Sequence, residues 1–439
     1  MRSDAVVDVQ RMVHGGVALA RLDTGEVVLV EGAVPGEVVG VALERRKGVL
    51  RGTTVEVRVR SGHRVEPPEH PGLDYGHIAY EHQLRLKREV VVDALRRAFG
   101  APKQDGEAEA DHPDLPEVPE VAPSPQIWAY RNVVQPAVVW EQGAMHLGYR
   151  RSGTHEVVPM ASDPVATAEV NGAYTVVQDV LTLATGPGRD GPRVREVVIR
   201  ANQEGEALVA LVGRGPAGAA VDLGHRLVDA GIAGVAWAES DPRGRFRRGV
   251  ERVAGRRTVL QRFNHLTLSL AATSFSQPNA LGAAALYLEL TAWAGRGASA
   301  LDLYAGGGAI AFHLADRFAE VTALEVESGA VARGRTDAGR LGLDNVTFVR
   351  GNAGRLDPPT GYDVVVVDPP RAGLSADVRD ALVAGDFDRL VYVSCDAATW
   401  ARDVADLHVK GLELRRVKPF DLFPHTHHVE LLSLLERVP

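Results

Sequence analysis

With 439 residues and a formal net charge of -8, the chain is long enough for two or three domains and too acidic overall to coat itself in nucleic acid. A local basic groove remains compatible with that charge, because placement matters more than the sum. The single cysteine excludes an intrachain disulfide and any cysteine-rich zinc or iron–sulfur site. The N-terminal MRSDAVVDVQ lacks an apolar signal core and no apolar run reaches membrane-spanning length, so a cytoplasmic protein without a membrane partner is expected.

Residues 5–60 alternate apolar and polar side chains in short runs, with turns at His14-Gly15-Gly16, Asp23-Thr24-Gly25 and Val34-Pro35-Gly36. This spacing predicts a small β-barrel. GGVALARL followed by EVVLVEGAVPGEVVGVAL resembles the TRAM domain, an OB-like barrel attached to RNA-modifying enzymes. Arg45, Arg46, Lys47 and Arg51 cluster on one hairpin, either as a solvated turn or as a contact for phosphates. A Pro-rich linker then leads into an amphipathic helix from about Tyr80, with Leu84, Val91, Leu95 and Phe99 on one side. His70, His77 and His82 lie here without a partner set at metal-ligand spacing. Residues 101–126 are acidic and Pro-rich, as expected of a flexible insertion or linker without chemistry.

Residues 127–270 read as a mixed α+β segment. YRNVVQPAVVW, AMHLGYRR, REVVIRAN, ALVALVGR, GVAWAES and LTLSLAATS are its strands, and Val221 to Ala230 is a helix ended by Gly231. Its Arg and aromatic residues offer either an ordinary solvated sheet or a cradle for single-stranded RNA.

From Phe275 the signals sharpen. Phe275-Ser276-Gln277-Pro278-Asn279 precedes a helix from Ala280 to Ala294. The strand Ala298 to Tyr304 enters Ala305-Gly306-Gly307-Gly308, and a helix is expected from Ile310 to Phe318. A strand, a glycine turn and a helix form the nucleotide-binding βα arrangement. The next strand, Glu320 to Leu324, ends at Glu325, an acid suited to ribose hydroxyls, so an adenosine-type cofactor is implied. Asn345 to Arg350 is a third strand, followed by Gly351-Asn352-Ala353. Tyr362 to Val367 is a fourth, ending in Asp368-Pro369-Pro370-Arg371. That acid–proline pair favours S-adenosylmethionine over NAD.

Next comes Leu390 to Ser394, an apolar strand that delivers Cys395 to its carboxyl end, where open α/β sheets bind ligands. A lone free cysteine is commonly a packing residue. Here it has Asp368 on the preceding strand and Glu430 at the last strand, Val429 to Leu435. A thiolate so placed suits methylation of carbon 5 of a pyrimidine: addition at carbon 6 makes carbon 5 nucleophilic, and a base then removes the carbon 5 proton. Glu430 is the candidate base. A helix starting near Ala397 is expected to lower the thiol pKa through its N-terminal dipole. His425, His427 and His428 are too crowded for good ligand geometry, and no metal is expected.

The chain closely resembles the bacterial RNA uridine-5 (5-methyluridine) methyltransferases over nearly its whole length. The resemblance implies an α/β Rossmann-like S-adenosylmethionine methyltransferase domain with an N-terminal OB-like β-barrel and a central α+β domain. The expected boundaries are 1–61 for the barrel, 62–126 for the linker, helix and insertion, 127–270 for the central domain and 271–439 for the catalytic domain. Cofactor contacts are implied at Gln277, Tyr304, Gly306, Glu325, Asn352 and Asp368, and catalytic roles at Cys395 (nucleophile), Glu430 (base) and Asp368. Gly76-His77-Ile78-Ala79-Tyr80-Glu81-His82-Gln83-Leu84 fits the region where many members bind an iron–sulfur cluster, but the four cysteines are missing, so a cluster-free member is expected. Ala309 stands where the family often has asparagine. The implied partner is ribosomal or transfer RNA, and the expected protein is a monomer. The alternatives are 5-methylcytidine formation, for which RNA enzymes generally use two cysteines, and an RNA-binding or assembly protein that has kept the fold.

Overall fold

The computed structural model describes residues 4–100, 115–141, 144–151, 153–184, 193–242, 246 and 249–438. Strands Ala5–Val13, Val17–Arg21, Val27–Glu31, Val38–Arg46 and Val49–Val59 close into a five-stranded barrel, as expected of an OB-like domain. The barrel closes because Ala5–Val13 pairs antiparallel with Val38–Arg46 while Val27–Glu31 runs parallel to Val49–Val59. Its basic hairpin is largely neutralised: Arg46 pairs with Glu44 at 2.9 Å, Arg51 with Glu31 at 3.4 Å and Arg45 with Glu26 at 2.5 Å.

The helix Tyr80–Ala98 buries two faces. Leu86 and Val90 pack on the barrel core, whereas Val91 and Leu95 enter the catalytic core. Between them the helix buries Gln83 and Lys87, polar residues that a simple apolar stripe does not anticipate. Lys87 Nζ donates to Asp421 Oδ1 at 2.6 Å and to the Phe423 carbonyl at 3.1 Å, and both charged side chains are fully buried. The linker expectation fails for the described part of residues 101–126, and residues 101–114 lie outside the described ones. Val118 and Val121 are buried in the catalytic core, and Ala122 forms a bridge to Phe420. Two buried valines and the Ala122 bridge hold this Pro-rich segment against the catalytic domain.

The central sheet runs Val250–Gly255, Gly234–Glu239, Ala207–Arg214, Arg193–Ala201, Ala137–Glu141, Ala144–Arg150, Val157–Pro159, with Val133–Val134 pairing Arg193–Ala201. Helices Ala168–Ala184 and Val221–Asp229 contribute to the same buried core. The first of these was not anticipated. Its buried Val170, Ala173, Tyr174, Val177 and Leu181 follow helical spacing, but its Val and Thr content reads locally as strand.

The catalytic sheet has seven strands: β1 (Gly297–Leu303), β2 (Phe318–Glu325), β3 (Val346–Arg350), β4 (Thr360–Val367), β5 (Asp386–Ser394), β6 (Leu412–Phe420) and β7 (Glu430–Arg437). Their spatial order is β3-β2-β1-β4-β5-β7-β6. β1 to β5 are parallel, while β7 is antiparallel to both β5 and β6. Val364, Val365, Val366 and Val367 are fully buried, as a parallel strand covered on both faces requires. The helix expected from Ile310 to Phe318 spans only Ala309–Leu314, because Phe318 is the buried first residue of β2. β6 was not anticipated: LELRRVKPF interleaves charge with apolar residues and carries Pro419. Among the described residues no helix is long and apolar enough to cross a membrane.

Removing Lys87 leaves Asp421 buried and unpaired. Lys87→Ala is therefore expected to cost about 3 kcal/mol or more in denaturant unfolding. A loss below about 1 kcal/mol would show that the ion pair does not hold the helix to the catalytic domain.

Candidate active site

Topology assembles the site. β4 and β5 end at one edge of the sheet, delivering Asp368 and Cys395. β7 runs the other way, so its first residue, Glu430, lies at that same edge. Ser394 pairs with Leu431, which puts Cys395 next to Glu430 across adjacent strands. Gln277 reaches the same place from the segment before helix Ala280–Ala294, its Nε2 lying 3.5 Å from Glu430 Oε1.

Each of these groups is shifted by its surroundings. Glu430 is 1% exposed and Oε2 has no hydrogen-bond partner. Burial, aided by Asp368 and opposed by the Gln277 hydrogen bond, pushes it up to about 8. Burial alone pushes Asp368 up to about 7. Cys395 is partly exposed, and burial together with Glu430 pushes its thiol up to about 11, with Arg371 pulling the other way. The helix Ala397–Val409 does begin just after Cys395, but Asp396 occupies its N-terminus, accepting from Ala398 N at 3.1 Å and Thr399 N at 2.9 Å. The expected lowering of the thiol pKa is not what results: desolvation and the neighbouring carboxylates hold it up.

The loop after Asp368-Pro369-Pro370 is fastened to the helix that follows the cysteine. Thr399 Oγ1 donates to the Arg371 carbonyl at 3.0 Å. The buried Asp403 accepts from Leu374 N at 2.7 Å, Tyr392 Oη at 2.9 Å and Arg402 Nη2 at 2.8 Å. Trp400 Nε1 donates to Ser433 Oγ at 2.7 Å, tying the same helix to β7. Cys395, Asp368 and Glu430 therefore share one braced unit.

The glycine turn lies at the end of β1. Tyr304, Gly306 and Gly308 have φ of 64°, 55° and 93°. Gly308 is required, since a Cβ there would lie 2.5 Å from Phe348. Glu325, at the end of β2, accepts from Gly306 N at 3.0 Å and Glu327 N at 2.7 Å. Asn352 is exposed, and its side-chain oxygen caps its own turn by accepting from Gly354 N at 2.9 Å. No described contact links Asn352 to the Cys395 group.

Two residues escaped sequence reading. Asp302 in β1 is buried, accepts from Ala311 N at 3.0 Å through Oδ2 and leaves Oδ1 without a partner. Burial and Asp368 push it well above the usual carboxylate range. An acid inside the apolar run ASALDLY was its only signal. Arg200 is fully buried and donates to Ser276 Oγ at 2.7 Å and to the Ser274 carbonyl at 2.6 Å, gripping both sides of Phe275, which is 82% exposed.

The crowded histidines have structural occupations. Gln83 Nε2 lies 3.1 Å from His425 Nδ1, and Trp128 stacks on His425 with ring centroids 3.6 Å apart. His427 hydrogen-bonds Asp74, and His428 Nε2 lies 3.2 Å from Arg371 Nη2. His77 Nε2 lies 3.2 Å from the Ala33 carbonyl, and His82 stacks on His63.

Known proteins similar to this chain supply the family. The model of the tRNA (Uracil-5-)-methyltransferase family matches residues 359–438, and a general methyltransferase-domain model matches 300–384. An uncharacterized RNA methyltransferase of Thermosynechococcus vestitus is 32% identical over 441 residues, covering 96% of this chain and 95% of the relative. The chain belongs to the RNA (uracil-5-)-methyltransferase family. A Streptomyces avermitilis relative, also an uncharacterized RNA methyltransferase, is 31% identical and covers 99% of both chains. The crystal structure of Pyrococcus abyssi tRNA (uracil-54, C5)-methyltransferase with S-adenosyl-L-homocysteine shares the fold. Its TM-score is 0.76 at 24% identity, covering 98% of this chain and 99% of that one. The enzyme is thus an S-adenosylmethionine-dependent RNA uracil-5 methyltransferase.

Glu430 binds its proton more tightly folded than unfolded. It therefore costs nothing below its unfolded value of about 4.5, and stability is lost progressively as pH rises through about 8. Glu430→Gln is expected to unfold at a higher temperature than wild type at pH 8.5, with the gap closing near pH 4. A constant gap across that range would mean that Glu430 is not held protonated.

Proposed function

We propose that the enzyme methylates carbon 5 of a uridine in structured ribosomal or transfer RNA through a covalent Cys395 adduct, acting as a cytoplasmic monomer. The observation that carries this reading is the pairing of Cys395 with a buried, proton-holding Glu430 across β5 and β7.

The site fits S-adenosylmethionine. Two buried carboxylate oxygens, on Asp302 and Glu430, have no protein partner, and Asp368 lies close enough to both to raise their pKa values. Such a set suits a cationic ligand. Glu325 at the end of β2 suits ribose hydroxyls once they displace the Gly306 amide, and Gln277, Tyr304, Asn352 and Asp368 complete the holding set. When bound, the cofactor supplies an electrophilic methyl group.

The chain's own residues do the rest. The Cys395 thiol passes its proton to solvent and its sulfur adds to carbon 6, moving the carbon 5–carbon 6 electron pair onto carbon 5, which forms the new bond to the methyl group. With carbon 5 methylated, the Glu430 carboxylate takes the carbon 5 proton, and the electrons left behind expel the thiolate. With a pKa of about 8, Glu430 acts as the base through its ionised fraction, so turnover should rise as pH approaches 8. A base reaching the sulfur must be unstacked or drawn from a single-stranded loop. The barrel, whose sequence resembles TRAM, is the natural second RNA contact. A cytidine substrate is less well served, since one cysteine would have to both form and resolve the adduct.

Labelled S-adenosylmethionine and bulk RNA from cells lacking the gene test the proposal. Wild type should incorporate label as 5-methyluridine, and Cys395→Ala should lose on the order of 10³-fold or more. Glu430→Gln should lose about 10²- to 10⁴-fold and trap an RNA adduct visible as a slower band in denaturing gels. Undiminished labelling by Cys395→Ala would refute the covalent route, and normal turnover by Glu430→Gln would remove it as the base.

A further inference from the structure

The turn between the first two barrel strands, His14-Gly15-Gly16, lies on the catalytic domain. His14 Nε2 lies 3.3 Å from Asp396 Oδ2, on the residue that follows Cys395. The other oxygen of Asp396 receives Ala398 N, Thr399 N and, at 3.1 Å, Thr399 Oγ1. That carboxylate therefore joins the barrel to the start of the cysteine helix. Two residues on, Gly16 is buried against a second catalytic-domain contact. With φ at 78°, a Cβ there would fall 2.2 Å from Asp74 Oδ2 and 2.9 Å from His427 Nδ1. Asp74 in turn accepts from His427 N at 2.9 Å, on the loop that leads into Glu430. One three-residue turn thus touches the nucleophile's cap on one side and the approach to the base on the other.

We infer that this barrel turn is part of the active site and that His14 is a positioning residue for the methylation step, setting the Cys395 turn through Asp396. The inference rests on Cys395 being the nucleophile. An isolated pair at this exposure would contribute little to stability, so its effect belongs in geometry. A displacement of about 1 Å at a reacting group costs up to roughly 100-fold in rate. The barrel then supplies more than affinity for RNA: it helps fix the distance between the sulfur and the base.

The test uses the full chain, labelled S-adenosylmethionine and bulk RNA from cells lacking the gene. His14→Ala should lower kcat about 10-fold or more while the apparent KM for RNA changes less than about 3-fold. His14→Gln keeps a donor and should recover kcat to within about 3-fold of wild type. Gly16→Ala should reproduce the kcat loss and, because its Cβ crowds Asp74 and His427 at a positive φ, should also lower the unfolding midpoint. The rate of covalent adduct formation on 5-fluorouridine RNA, which blocks proton removal, should fall in parallel for His14→Ala. A raised KM with normal kcat would make His14 a simple RNA contact, and unchanged kinetics would make it an idle surface pair. Either result overturns the inference. Cys395→Ala, run alongside, separates the two readings. If it remains active, the nucleophile assignment fails; if it is inactive beside a normal His14→Ala, only the barrel's role fails.

Discussion

Antiparallel pairing of β7 with β5 is the constraint on which the rest of the site depends. A parallel seventh strand would begin at the opposite edge of the sheet, far from Cys395. Because β7 enters from the carboxyl edge, Ser394 faces Leu431 and Glu430 meets the cysteine turn. That reversal requires β6 outside β7 and a short return through residues 421–429. The return is held from beneath by helix Tyr80–Ala98, through Lys87 on Asp421 and Gln83 on His425. His425 sits at a φ of 65°, a conformation a histidine seldom adopts, and its Trp128 stacking and Gln83 contacts hold it there.

The electrostatics of the site follow from the same crowding. Asp302, Asp368 and Glu430 share a poorly solvated edge, where burial raises all three and Asp368 adds to the cost of ionising the other two. Such a set is complementary to positive charge. Burial first, and then Glu430 and Asp368, disfavour a thiolate and push the Cys395 thiol up. On the proposed chemistry, the groups that favour a sulfonium also keep the nucleophile dormant, and arrival of positive charge relieves both. Arg371 is a cation near enough to the sulfur to favour the thiolate, and its carbonyl is fixed by Thr399.

Much of the catalytic domain was legible because its strands are nearly continuous apolar runs that end in diagnostic residues. Asp368, Cys395 and Glu430 stand out in the sequence as reactive residue types at strand ends, Glu430 also by its family pattern, and the fold brings Cys395 and Glu430 to adjacent strands. What escaped has a common cause. Helix Ala168–Ala184 is rich in residues that favour strands in isolation, and tertiary burial overrides that preference. β6 is recognisable only as a partner of β7. Lys87 and Gln83 fall inside because Asp421 and His425 meet them there, a contact spanning more than 300 positions in sequence. The shift of the Cys395 thiol could not be read from a helix start alone, since its direction depends on carboxylates brought in from two other strands.

The two-faced helix and the strap that follows it bear on how the protein is made. Val91, Leu95, Val118 and Val121 share one core with Val417, Leu431 and Leu435, which lie roughly 300 positions later in the sequence. These apolar side chains wait for that whole intervening stretch before they are fully covered. Contacts of such sequence separation close slowly and leave adhesive surface exposed in the interval. Maturation of the catalytic core therefore draws on both sides of the central domain, and a piece cut at residue 271 would begin life without part of its own interior.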